Sequence, residues 1–500
     1  MNDQRVMQEY SGCTGHLKSF FHPHLFPLKV VFFLHFGALA SLVPYIPLYI
    51  QHLGLSALEN GIVYGILPFL AILSKPTTGG LADKLKAPYV LLQFFLVVEL
   101  AFLSSIYFVP PIPADIPSPI SNASCREILS YRQFPLGSFT CTVSSPQTQT
   151  VDIQSNFDLK DLSRTLSVCN CSLVPPDKKV LPTVRWTKQF WLTGLLLIIG
   201  WYGYGASVTL VDTISFGIVE RSPIRTTYGS NRVLGTIGWA LCALAVGFLM
   251  DAFSEETTPE KRDFTPAFAL YITMCCGAII AAFFFKKEKL VRNPEIVAGR
   301  NLLTFEVLLF CSGTFVSGVC SGILYAYLAW YQSELGASGL LLGITVFVQA
   351  CYEAPMMAMS EWFIRKVGYH GCVLLCLLSF GVRFIGYYLI ENPWLVLPID
   401  VTHAFGFGLF YACMTSYAFE KAPVGIRATL QGLLGAIYEG FGQGTGGLLA
   451  GVLYQYYGGR KTWLMYGLFT LFSAVIYAIG VLFLSRRRRR TRSFAMNTDL

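Results

Sequence analysis

A small set of charged residues lies in stretches otherwise apolar enough to cross a bilayer. In the first half of the chain they are His35, Lys75, Glu99, Asp212 and Arg232. In the second half they are Glu306, Glu353, Arg383, Asp400, His403 and Glu439. A charge in a bilayer core costs on the order of 3 kcal/mol or more, so each needs a partner or a purpose. Asp400 and His403 are three positions apart and share one helix face. Arg383 lies just before the short turn that leads to them and is placed to neutralise Asp400. Glu353 and Glu439 read as isolated acids. Burial favours the neutral form of a carboxyl group, and a neighbouring arginine favours the charged form. An acid whose partner comes and goes is therefore a usable proton carrier, with Glu439 first in line and Asp400 and Glu353 behind it. Two readings stand for Arg383 and Asp400: a fixed structural pair or part of a relay. His403 is either a hydrogen-bonded core histidine or a proton site.

These residues need helices to position them. The chain is 54% hydrophobic and 13% charged, against about 25% charged residues in soluble proteins. Apolar runs of 18 or more residues alternate with short polar loops. A bilayer core about 30 Å thick needs about 20 apolar residues, and in lipid such a segment must be helical. The expectation is an all-α membrane protein with twelve spans, at about 29–50, 60–78, 88–110, 189–212, 230–250, 266–285, 303–330, 339–359, 369–390, 394–417, 430–454 and 463–485. Bases cluster in alternate loops: Lys84 and Lys86, Arg221 and Arg225, Lys286 to Arg300, Arg365 and Lys366, Lys421 and Arg427, and Arg486 to Arg490. By the positive-inside rule these loops are cytoplasmic, and both chain ends with them. The net charge of +8 therefore belongs to span ends and not to a nucleic-acid surface. The first 28 residues are polar and mixed, without the pattern of a cleavable signal peptide.

The organisation follows. A tail at 1–28 precedes a first six-helix bundle at 29–285, a linker at 286–300, a second bundle at 301–485 and a basic tail at 486–500. A long polar loop at 111–187 interrupts the first bundle on the outer side. It holds two glycosylation patterns, at Asn122 and Asn170. It also holds Cys125, Cys141, Cys169 and Cys171, which suggests two disulfides in one of three pairings, or free thiols. The cysteines in the spans read as small apolar residues.

The chain also repeats itself. Gly61-Ile and Gly343-Ile open spans 2 and 8 and lie 282 positions apart. Ile224-Arg225-Thr-Thr and Ile426-Arg427-Ala-Thr precede spans 5 and 11 and lie 202 apart. The difference, 80, is close to the length of the outer loop, so the second half is the first half without the insertion. Span 11 is glycine-dense, which lets helices approach closely. Pro44, Pro47 and Pro76 are placed to kink spans 1 and 2. Trp201, Tyr202 and Tyr204 read as interfacial or packing aromatics.

The loop after span 2 reads Gly79-Gly80-Leu81-Ala82-Asp83-Lys84. It resembles the first six positions of the major facilitator superfamily motif G-x-L-A-D-R/K-x-G-R/K-R/K; Lys86, Ala87 and Pro88 depart from the rest. The stretches YGSNRVLGTIGWAL from Tyr228 and PWLVLPIDVTHAFGFGLFYA from Pro393 resemble the branch holding lactose permease and the nucleoside–proton symporters. The likeness is nearest the group of domain-containing protein 6 and its 6-like relative. The resemblance implies two six-helix halves with solute held between them near the membrane midplane. It implies that Gly79, Asp83 and Lys84 latch the halves, with a glycine turn carrying the acid and base out of the membrane. It also implies that Asp212 and Arg232, at the inner ends of spans 4 and 5, grip the substrate; the alternative is an ion pair closing the inner face.

The expected function is transport of a small solute by alternating access, driven by protons, in the plasma or an endolysosomal membrane. Its rival is a receptor that displays loop 111–187 to an extracellular protein ligand. The sequence shows no phosphate-binding loop, no nucleophile elbow and, outside loop 111–187, no metal-spaced His/Cys set. No enzyme, metal, cofactor or nucleic-acid partner is expected. The orientation has a direct test. Glycosidase treatment should shift the mass of the wild type, and Asn122→Gln with Asn170→Gln should abolish the shift. Glycan on an engineered site within 286–300 would reverse the assignment.

Overall fold

A computed structural model describes residues 25–112, 139–143, 150–153, 169–173, 186–220, 222, 228–254, 262–285, 304–421 and 427–498. The linker at 286–300, Arg225, Asn122 and Cys125 lie outside these residues, as does most of the first tail.

The helices of the first half are α1 (Phe26–His52), α2 (Ala57–Leu85), α3 (Pro88–Ser105), α4 (Lys188–Glu220), α5 (Tyr228–Phe253) and α6 (Thr265–Ala282). In α1 a 3-10 turn at Val43–Tyr45 carries Pro44. The second half begins with α7 (Phe305–Glu334). The next helical run, Gly339–Leu389, has 51 residues. At 1.5 Å per residue it would span about 76 Å, more than twice a bilayer. It is broken at Gly368, whose φ of 73° a side chain would strain. The break gives α8 (339–367) and α9 (369–389). After α10 (Pro393–Lys421) the same thing happens at Gly458, with φ of 78°. It separates α11 (427–457) from α12 (459–498). Among the described residues, the two breaks divide ten apolar helical runs into twelve helices, which fits the expected number of spans.

The glycine turn expected at Gly79 and Gly80 is not there. Helix α2 continues through both to Leu85. Glycine costs a helix about 1 kcal/mol, too little to break backbone hydrogen bonds that lipid cannot replace. The turn falls at Lys86, in the left-handed region with φ of 51°, and Pro88 opens α3. A residue before proline is pushed out of the helical region, so Ala87 cannot prolong α2. Helix α4 likewise outruns its expected end at 212 and continues to Glu220.

The repeat is present in the backbone. Gly54 and Gly336, 282 positions apart, both have φ of 82°. Ser56 and Ser338, at the same offset, cap α2 and α8 through their side chains. Lys86 and Gly368, again at that offset, both have positive φ, of 51° and 73°. The halves meet along two equivalent seams, α2 on α11 and α5 on α8. Gly61 lies against Gly451 in the first seam and Gly343 against Gly247 in the second, where a side chain would not fit. The end of the bundle from which residue 112 departs is called here the insertion end, and the opposite one the basic end. At the insertion end Tyr327 Oη donates to Ala57 O at 2.6 Å and Asn60 Nδ2 to Ala326 O at 3.0 Å, both across the halves. Gly79 and Gly80 on α2, and Gly432 and Gly435 on α11, continue the first seam toward the basic end. None of the four would touch anything within 4 Å. Among the described residues the halves touch at the insertion end, and these four glycines toward the basic end have open space beside them.

Residues Ile112–Val184 form a separate compact unit. It holds a three-stranded antiparallel sheet of β1 (Phe139–Val143), β2 (Thr150–Ile153) and β3 (Cys169–Leu173), in the order β2-β1-β3. The all-α expectation thus holds for the membrane part alone. The register sets Cys141 opposite Cys171. Side chains of this unit, including Cys141, Asn170, Cys169 and Cys171, lie outside the described ones, as does that of Asp83.

Candidate functional site

Arg383 on α9 is the centre of the second-half cluster and is 1% exposed. Its Nη2 donates to Asp400 Oδ1 at 2.9 Å and its Nε to the same oxygen at 3.2 Å. The two oxygens of Asp400 are then shared out: Tyr387 Oη also donates to Oδ1, and Gln349 Nε2 from α8 donates to Oδ2 at 2.7 Å. Four polar groups therefore satisfy one carboxylate that has no solvent exposure. Arg383 Nη1 meets His403 Nδ1 at 3.1 Å. A guanidinium can only donate, so Nδ1 accepts and the imidazole is neutral, with its proton on Nε2. That Nε2 faces Glu353 Oε2 of α8 at 3.7 Å, too long for a direct hydrogen bond. His403 opens a stacked ladder with Phe407 and Tyr411, ring centroids 5.6 Å apart at each step. The ladder follows a π-helical stretch, Ala404–Leu409. Such local widenings of a helix are frequent at functional sites.

Glu439 sits in the second π-helical stretch, Ala436–Gly442 on α11. The sequence marks it as isolated, but it forms an ion pair with Lys75 of α2. The reason is distance along the chain: the partners are 364 residues apart. Glu353, also read as isolated, has His403 as its neighbour. The Lys75–Glu439 pair crosses between the halves and is partly solvated, with 48% and 27% side-chain exposure. Both residues stand well inside their helices, where α2 meets α11.

Tyrosines lie near this pair. Tyr325 on α7 is 49% exposed. It lies within electrostatic reach of Glu353, Tyr204, Glu439 and Tyr411. Tyr204 and Tyr411, from opposite halves, are each within reach of Glu439, Arg232 and Asp212. Tyr204 is therefore not an interfacial aromatic; it stands midway along α4. Arg232 lies over the ring of Phe36 at 4.2 Å and near that of Phe32 at 5.8 Å. Asp212 is two turns short of the end of α4. Asp212, Arg232, Glu353 and Glu439 thus lie near the same tyrosines, with His403 beside Glu353, and Arg383 and Asp400 form a buried wall behind His403. Gly79, Asp83 and Lys84 lie in the last turns of α2.

One cluster escaped the sequence reading. His35 Nε2 lies 3.1 Å from Glu99 Oε2, and Ser207 Oγ donates to the same oxygen at 2.6 Å. All three are fully buried, on α1, α3 and α4. His35 and Glu99 stand out as charges in apolar spans, but nothing in the spacing pairs residues 64 apart. Glu306, expected within its span, lies in the first turn of α7, 3.5 Å from Lys421.

The Arg383–Asp400 geometry makes a stability prediction. Arg383→Ala leaves a buried carboxylate uncompensated, which should cost about 3–5 kcal/mol. Asp400→Ala should cost a similar amount. Arg383→Met with Asp400→Leu should recover much of the loss, read as the melting temperature of the purified protein. Mild single effects would show that the pair does not hold the wall.

Comparison with known proteins bears on the family and the fold. Residues 25–465 match the model of the MFS_1 like family. The chain is 22% identical over 451 residues to major facilitator superfamily domain-containing protein 6-like of Danio rerio, covering 86% of this chain and 82% of that one. It is 26% identical over 297 residues to the maltose permease of Geobacillus stearothermophilus, covering 57% and 69%. The fold matches the crystal structure of nucleoside transporter NupG with a TM-score of 0.62 at 13% identity, covering 92% of this chain and 99% of that one. It matches a peptide transporter POT structure with a TM-score of 0.59 at 13% identity, covering 97% and 99%. Three of these four proteins are named as a permease or a transporter. Since the family match runs from the start of α1 into α12, the chain belongs to the MFS_1 like family and is an integral, multi-pass membrane protein of major facilitator fold.

Proposed function

We propose that the protein carries a small neutral polar solute, of the sugar or nucleoside class, by alternating access, and that a proton on Glu353 drives it. The carrying observation is the chain Asp400–Arg383–His403–Glu353. Arg383 occupies His403 Nδ1, so the imidazole cannot take a second proton without losing that bond. Among the described residues, no lysine or arginine forms an ion pair with Glu353, whose neighbour is His403. In the open cavity, water solvates its charge. Closing the cavity removes that water, and an unpaired carboxylate then becomes costly. A proton on Glu353 removes the cost. Closure is therefore permitted when Glu353 is neutral, which couples proton movement to the exchange of open ends.

The solute class follows from the remaining charges. Arg383 is held by Asp400 and Lys75 by Glu439. Asp212 and Arg232 are of opposite sign and reach the same tyrosines. The cavity thus offers hydroxyls, aromatic rings and balanced charge, which suit a neutral ring-bearing molecule. The names of the maltose permease and of the nucleoside transporter support this reading. By the positive-inside rule the basic end is cytoplasmic, so the cavity proposed here opens inward.

The test uses proteoliposomes and a panel of labelled sugars and nucleosides. Glu353→Gln keeps the shape and removes the titration. It should abolish accumulation driven by a pH gradient and leave solute exchange intact. Glu439→Gln should slow both, because it strands Lys75. Normal pH-driven accumulation by Glu353→Gln would contradict the proposal.

A further inference from the structure

Helices α2 and α8 start at equivalent positions, and each starts against the other half. The first N–H groups of a helix have no partner within it. At α8, Asp251 of α5 supplies them. Its Oδ1 accepts from Gly339 N at 2.6 Å and its Oδ2 from Leu340 N at 2.7 Å. Ser338 Oγ takes the third, from Leu341 N at 3.2 Å. At α2, Gln455 of α11 plays the matching part: its Oε1 accepts from Leu58 N at 3.3 Å, and Ser56 Oγ accepts from Glu59 N at 3.3 Å. Leu58 and Leu340 are 282 positions apart, so the two caps are one contact repeated. Each half caps the second helix of the other.

The two caps differ in charge. A carboxylate at a helix N-terminus gains from the helix dipole and from charge-assisted hydrogen bonds; an amide gains far less. A second group reinforces the charged side. Arg262, 3% exposed, donates from Nη2 to Ala337 O at 2.7 Å, across the halves and next to the cap of α8. Burial pulls the Arg262 guanidinium below its ordinary range, and the Asp251 carboxylate and Tyr45 pull it back. Asp251 thus serves two groups at once. These bonds are a few ångströms long and cross the halves, so they exist only while the insertion end is shut.

We propose that Asp251 is a positioning residue of the transport cycle: it clamps α5 to α8, holds the insertion end closed and sets the resting bias toward the state described here. Gln455 is its weaker, neutral counterpart. The proposal rests on the alternating-access reading. It concerns which residues hold one state and not what is carried, so no solute is needed to test it.

The test is two-sided thiol labelling of the full-length protein in membranes. One reporter is Val346→Cys, two turns below Gly339 on α8 and packed against Ala40, Cys242 and Ala243. The other is Gly79→Cys, in open space on α2 near the basic end. Each is scored against the same protein without the reporter. Asp251→Asn removes the charge and one of two acceptors. It should raise labelling of Val346→Cys by an impermeant reagent from the insertion side about tenfold, and lower labelling of Gly79→Cys from the basic side. Gln455→Ala should act in the same direction and by less, about twofold. Misfolding would raise both signals, so the opposite signs distinguish a shifted balance from damage. Gly61→Trp, which wedges the other seam apart, is the control. If the wedge exposes Val346→Cys and Asp251→Asn does not, the clamp is refuted and alternating access stands. If neither exposes it, the insertion end does not open, and both ideas fall together.

Discussion

Charge in a low-dielectric medium is the constraint from which the rest of this structure follows. A bilayer offers no water to a stranded ion, so every charge within it must find a partner, a cavity or a proton. Three solutions occur here. Arg383 and Asp400 meet within one half and are fully enclosed. Lys75 and Glu439 meet between the halves and are partly wet. Glu353 has the His403 imidazole for a neighbour and is partly exposed. A pair within one bundle is a fixture, because the bundle moves as a body. A pair between bundles reports on their relative position. An acid with no cation is the natural place for an exchangeable proton. The function proposed here is this classification applied to a cavity that opens at one end.

The backbone obeys the same constraint. Helices run on through Gly79 and Gly80 because an interrupted hydrogen-bond ladder costs more in lipid than two glycines do. Turns fall where φ must be positive, at Gly54, Gly336, Gly368, Gly458 and Lys86. Glycine serves a second purpose along the seams. At Gly61, Gly451, Gly247 and Gly343 it lets two backbones touch, so main-chain groups of one half reach acceptors of the other. The exposed N–H groups at the starts of α2 and α8 are satisfied across the seam. Closure at the insertion end is thus built from groups that any helix must satisfy somewhere.

Much of this was legible in the sequence, and what was not has a common cause. The spans were legible because a helix in lipid needs a long apolar run. The repeat was legible as a fixed offset of 282, and the same offset recurs in caps and turns. Arg383 and Asp400 were legible as partners because only a short turn separates their helices. Lys75 with Glu439, and His35 with Glu99, were not, since their partners come from distant helices and no period links them. The end of α2 was misread because glycine is a turn signal in water and a weak one in a membrane. The sheet at 112–184 lay in a loop read for its glycan and disulfide patterns alone. The two π-helical stretches leave no trace in composition, yet they hold Glu439 and the ladder that begins beside His403.

The claim that a charge pair joins the halves across the cavity is tested most directly by reversing it. Lys75→Glu and Glu439→Lys each set two like charges together and should lower the melting temperature of the purified protein. Combined, they restore an ion pair of opposite polarity. The account predicts that the double variant melts above both singles and close to the wild type. A double variant that melts as low as the sum of the single losses would show that Lys75 and Glu439 do not hold each other.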